Sequence, residues 1–205
     1  MSCLCDEFLS PSFAKACGLE ENEFKKLAIF LAAVHDIGKA IVVFQYKIGD
    51  KLPERKSALE ASGINFDVLT IKEKPNKLLM HLQVRRFLIL LGCPECVSTV
   101  VGSHHGVPAE SVQDLSWPQE DIAFYENYYG RDKENVEVLQ DIWQTIFDMA
   151  LDYAGFLDVS ELPDIDRSSQ MLLSGLLIMA DWLASNTELF HFCQWRTSNL
   201  TTSLG

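Results

Sequence analysis

Apolar residues in this chain recur at helical spacing and nowhere sustain the alternation of a strand, which confines the fold to packed helices. Leu27, Phe30, Leu31 and Val34 mark one stripe of a helix expected over residues 22–36, with Asn22 as its N-cap and Gly38 as a left-handed stop. Leu79, Leu82, Phe87, Leu90 and Leu91 mark a second helix over residues 78–91, closed by Gly92. A shorter third runs over residues 96–103, a longer fourth over 134–157, and a fifth from about 168 to 185 after a turn at Pro163-Asp164. Residues 45–76 are polar and Lys-rich and contain Pro53 and Pro75, so loop or short irregular helix is expected there. The fold class is all-α, a helical bundle with loop insertions. A chain of 205 residues suits one domain, here residues 1–205 with a core over about 22–190 and a polar tail or linker over 191–205.

The histidines fall on this pattern in a way that a surface scatter would not. The chain has five. His35, followed by Asp36, ends the first helix; His81 lies on the second; His104 and His105 follow the third. Asp181 interrupts the apolar fifth helix between Met179-Ala180 and Trp182-Leu183, where a carboxylate is costly to bury without a partner. Imidazole and carboxylate are ligand types of divalent transition metals, and a mixed set of this kind suits Mn, Fe, Co or Ni, with Mg also allowed. Asp36 at a helix end is suited to bridge two cations, and Lys39 to balance phosphate charge or protonate a leaving oxygen. Each residue also has a plainer reading. A lone His81 fits a core or surface histidine, and a His-Asp dipeptide arises by chance.

The formal net charge of −12 argues against nucleic-acid binding by the surface as a whole. From Lys39 to Arg86, however, ten Lys and Arg stand against five Asp and Glu. Such a basic strip suits a phosphate-bearing substrate, or is simply a solvated loop. Of six cysteines, only Cys93 and Cys96 form a CxxC, which reads as packing at a helix start rather than half a zinc site. Residues 117–129, with Trp117, Phe124, Tyr125, Tyr128 and Tyr129, form a lid or packing segment, or stack bases. The N-terminus carries no signal-like pattern, and residues 171–184 are too short an apolar run to span a bilayer. A soluble, cytoplasmic protein with no membrane partner is expected.

The run His35-Asp36-Ile37-Gly38-Lys39 resembles the signature of the HD phosphohydrolase superfamily. With Phe44-Gln45 it resembles the HDxGKxxxxFQ run of CRISPR-associated HD nucleases, the HD domain of the type I interference helicase-nuclease. His104-His105-Gly106-Val107-Pro108 resembles that family's HHGxP, and Asp181-Trp182-Leu183-Ala184-Ser185 its DWxxS. His81 lies in the interval of a further metal histidine. The resemblance implies a metal-dependent nuclease cutting single-stranded DNA, with a helicase and a guide-RNA surveillance complex as partners. It implies His35, Asp36, His81, His104, His105 and Asp181 as ligands for one or two metal ions, Lys39 as the catalytic lysine with Asp36, and Ser185 as a supporting residue. The family's further histidine before the doublet has no counterpart, because no His precedes His35. A GxxxxGK[ST] loop is also lacking, so ATP-driven translocation belongs elsewhere. Two other readings stay open: an HD phosphohydrolase of nucleotides or cyclic dinucleotides, and a catalytically weakened HD scaffold.

Overall fold

A computed structural model of the chain describes residues 10–49, 51–66, 80–104 and 134–186. The described residues contain helices and no strand, in agreement with the all-α expectation. We number the α-helices α1 (Ser10–Cys17), α2 (Glu21–Val34), α3 (Val42–Gly49), α4 (Pro53–Ala61), α5 (Met80–Leu90), α6 (Glu95–Gly102), α7 (Glu134–Ala154) and α8 (Arg167–Ala184). Short 3-10 turns lie at Ile37–Lys39 and Val159–Glu161.

Helix α2 is the hub of the bundle. Phe24, Leu27, Ala28, Phe30, Leu31 and Val34 are all fully buried, a wider apolar surface than one stripe provides. It is therefore covered on several sides, by α1, α6, α7 and α8. Each large side chain so buried contributes roughly 1.5–3 kcal/mol relative to exposure. Phe30 meets Phe147 of α7 edge-on, ring centroids 5.6 Å apart, and Phe87 of α5 stacks on Trp143 of α7 at 4.0 Å. Asn135, fully buried at the start of α7, accepts from the Asn65 backbone N–H and donates to its carbonyl. That pair ties the segment after α4 to the bundle.

Element boundaries follow local chemistry. Gly92 (φ +87°) ends α5 and Gly155 (φ +83°) ends α7, in the left-handed region that favours glycine. Asp166 caps α8 by accepting from Ser169 N–H at 2.8 Å. Asn22 does not cap α2: the helix begins at Glu21, and Glu20 occupies the cap position without a side-chain bond.

Two further expectations need correction. Gly38 is not a left-handed stop. It is buried inside the 3-10 turn, at negative φ, and α2 simply tightens past Val34. The polar stretch after Phe44 is more regular than expected, because α3 runs to Gly49 and α4 spans Pro53–Ala61. Pro53 opens α4 instead of breaking it, the first turn being the place where its missing N–H costs nothing. Residues 67–79, 105–133 and 187–205 lie outside the described residues, and with them the aromatic stretch and the polar tail.

Candidate metal centre

Three of the residues singled out in the sequence meet at helix C-termini. His35 directly follows α2, His104 lies just past α6, and Asp181 sits in the last turn of α8. The packing of α8 against both α2 and α6 brings these ends together. The His35 and His104 rings meet edge to face, with centroids 5.5 Å apart and an interplanar angle of 88°.

The imidazoles are oriented by the helices that end beneath them. His35 Nδ1 lies 2.7 Å from the carbonyl of Ala32, and His104 Nδ1 lies 2.5 Å from that of Val101. A carbonyl only accepts, so each Nδ1 carries the proton and Nε2 is the nitrogen available as a ligand. Backbone anchoring of the distal ring nitrogen is the usual support for a metal-binding histidine.

The carboxylates converge on the same nitrogen. His35 Nε2 stands 3.3 Å from Asp36 Oδ2 and 3.5 Å from Asp181 Oδ1. A ring nitrogen facing two carboxylate oxygens is an arrangement that a proton or a metal cation between them satisfies. Ser185 Oγ donates to Asp181 Oδ1 at 3.3 Å, and Lys39 Nζ donates to Asp36 Oδ2 at 2.5 Å. His104 is 4% exposed, whereas the His35, Asp36 and Asp181 side chains are 20–36% exposed, so the cluster opens to solvent on the carboxylate side.

The donor types and ring orientations fit a divalent metal. Among the described residues, no group of three or more His, Cys, Asp and Glu side chains is drawn closely enough to hold one by itself. His81 lies on α5 with its side chain outside the described residues, and His105 lies wholly outside them.

Side chains outside the donor set hold the turn between His35 and α3. Gln45 Nε2 donates to the Lys39 carbonyl at 2.7 Å, and Arg55 Nε donates to Gln45 Oε1 at 3.2 Å. Trp143 Nε1 donates to the Ala40 carbonyl at 2.7 Å. Gln45 stood in the recognisable run; Arg55 and Trp143 carried no signal, since either reads as an ordinary solvated or core residue. The CxxC is packing material. Cys93 is buried and Cys96 Sγ lies 3.9 Å from the Pro163 carbonyl. Burial pushes the Cys93 thiol up to about 12, away from the thiolate that zinc requires.

A profile of the family described as "Cas3, HD domain" matches residues 1–190 of this chain. The CRISPR-associated nuclease/helicase Cas3 of Streptococcus thermophilus is 37% identical over 183 residues, covering 83% of this chain and 19% of that protein. The crystal structure of a CRISPR-associated protein superposes with a TM-score of 0.63 at 18% identity, over 94% of this chain and 20% of the other. A chain of a CRISPR RNA-guided surveillance complex in a pre-nicking state gives 0.57 at 22% identity, over 91% and 21%. At these identities the structures share the fold alone. This chain spans about one fifth of the length of the relatives it matches.

Proposed function

Because the chain belongs to the Cas3 HD-domain family, we propose that it is a metal-dependent nuclease module that cleaves single-stranded DNA. Its partners in this reading are a helicase domain or subunit and a guide-RNA surveillance complex. The observation that carries the reading is the convergence of Asp36 Oδ2 and Asp181 Oδ1 on His35 Nε2, at 3.3 and 3.5 Å. The ligands for one or two divalent ions (Mn, Ni, Co or Fe, with Mg allowed) would be His35, Asp36, Asp181 and His104, with His81 and His105 completing the set. Such an ion supplies an acidified water and a counter-charge for a phosphodiester oxygen.

The chain's own residues do the positioning. Ala32 and Val101 carbonyls hold the two rings by Nδ1, which leaves Nε2 as the ligand atom of each in this reading. Ser185 fixes one oxygen of Asp181. Lys39, already on Asp36, would hold a non-bridging phosphate oxygen or deliver a proton to the leaving oxygen. The basic strip begins at this lysine and continues through Lys51, Arg55 and Lys56 on and beside α4. In this reading the strip would offer positive charge to a phosphate backbone on an otherwise acidic molecule.

The test is digestion of circular single-stranded DNA by the purified protein with Mn2+ or Ni2+. Cleavage at substoichiometric protein, abolished by chelator, is expected. Intact DNA at excess protein with metal shown to be bound overturns the reading. Phosphate release from mononucleotides without cutting of DNA would transfer the site to nucleotide hydrolysis.

A further inference from the structure

The turn that carries Asp36 and Lys39 is held by side chains outside the donor set. We infer that Gln45, with its amide oriented by Arg55, is the positioning residue that keeps the Lys39 ammonium on the Asp36 carboxylate. The inference deepens the nuclease reading and rests on it for the activity arm of its test.

A 3-10 turn of three residues is a weak element, because its hydrogen bonds are poorly aligned and it has few of them. Here they run from Lys39 N–H to Asp36 O at 2.8 Å and from Ala40 N–H to Ile37 O at 3.1 Å. The two carbonyls that leave the turn are each met by a side chain from elsewhere, Lys39 O by Gln45 and Ala40 O by Trp143. Trp143 is a core residue whatever the site does. Gln45 is different. It is 8% exposed, and its amide has two orientations of nearly equal shape, only one of which places the donor on Lys39 O.

Arg55 makes that choice. A guanidinium donates and never accepts, so its contact with Oε1 requires Nε2 to point at Lys39. In the flipped amide, donor would face donor at Arg55 and acceptor would face acceptor at Lys39. Arg55 belongs to α4, a helix that buries none of its side chains. Its link to Gln45 is therefore not incidental to core packing. A side chain from an exposed helix thus sets the orientation of a buried amide, and the amide pins the backbone from which Lys39 reaches Asp36.

Amide hydrogen exchange of the metal-free protein reads the turn without reference to activity. In Gln45→Glu the new carboxylate still accepts from Arg55 but cannot donate to Lys39. Exchange at Lys39 and Ala40 should accelerate about ten-fold, the factor expected for one lost hydrogen bond. With Mn2+ and circular single-stranded DNA, kcat should fall about ten-fold with KM for DNA unchanged. Arg55→Ala should give a smaller acceleration at the same two amides, Arg55→Lys should restore protection, and Ser57→Ala on the same helix should change neither readout.

Unaltered exchange at Lys39 and Ala40 in both Gln45→Glu and Arg55→Ala overturns the inference. So does a fall in melting temperature with turn exchange and kcat unmoved. If Gln45→Glu does not fold, exchange in Arg55→Ala decides, since that side chain lies on the unburied helix. If the wild-type protein cuts no DNA, the nuclease reading fails while the exchange arm still decides the clamp.

Discussion

His35 and Asp181, from opposite ends of the described chain, stand 3.5 Å apart from Nε2 to Oδ1, and Ser185 holds that same carboxylate oxygen. Asp181 is thus drawn towards the ring from one side and braced from the other. The brace comes from one turn further along, through the serine that caps α8.

Asp181→Asn keeps the size of the side chain and removes its charge. Cleavage of single-stranded DNA should fall by about 10³-fold, equivalent to roughly 4 kcal/mol of lost transition-state stabilisation. Ser185→Ala, which leaves the carboxylate but frees it to rotate, should weaken Mn2+ binding by about ten-fold. Calorimetric titration with Mn2+ and a plasmid-length single-strand digest check both. Equal metal affinity in wild type and Asp181→Asn would remove Asp181 from the donor set.

Trp143→Phe retains the stacking partner for Phe87 but leaves the Ala40 carbonyl without its indole donor. The expected loss of stability is about 0.5–1.5 kcal/mol, the net worth of one hydrogen bond to a half-buried acceptor. Trp143→Ala adds a cavity and should cost roughly 3–5 kcal/mol. Urea denaturation of the two variants gives the difference directly.

The side-chain hydrogen bond from Ser169, and then its backbone N–H, hold the Asp166 carboxyl below its ordinary value of 3.8. The folded state therefore binds this proton less tightly than the unfolded state. Its contribution is fully present above pH 3.8 and is lost as pH falls below that value through the folded pKa. The melting-temperature gap between wild type and Asp166→Ala should accordingly be widest near neutrality and should shrink in acid. A gap that is constant from neutrality down to acid would mean that the carboxylate is not the capping species.

The Cys93 thiol, pushed up to about 12 by burial, should resist alkylation by iodoacetamide at pH 8 in the native protein. It should react promptly once the chain is unfolded in guanidinium. Peptide mapping by mass spectrometry separates Cys93 from Cys96, which is half-buried and sits at the edge of the packing.

The helical class and the cluster of His35, Asp36, His104 and Asp181 were legible in the sequence for different reasons. Core helices announce themselves because one face must be apolar, and Phe24 to Val34 does so plainly. The two histidines and Asp181 stood out as polar groups set in apolar segments. Helix α4 was not legible, since it buries nothing and so has no apolar period to read. Gly38 misled because a glycine after a helix usually adopts positive φ, whereas here it lies buried at negative φ inside a turn. Trp143 and Arg55 were invisible as supports, because a hydrogen bond to a backbone carbonyl or an amide leaves no mark on local composition.

The placing of His35, His104 and Asp181 at the C-terminal ends of α2, α6 and α8 has an electrostatic consequence for the order of events. Each helix end carries a partial negative charge from its last carbonyls, lessened where a ring or capping N–H meets one of them. Three of them, added to two carboxylates, outweigh the single ammonium of Lys39 on Asp36 and leave a negative potential at the cluster. A polyanionic strand is repelled from such a cluster until cations have entered it. The metal-free protein should therefore hold single-stranded DNA away from the residues that would cut it, so that loading with metal switches on approach of the strand as well as its hydrolysis.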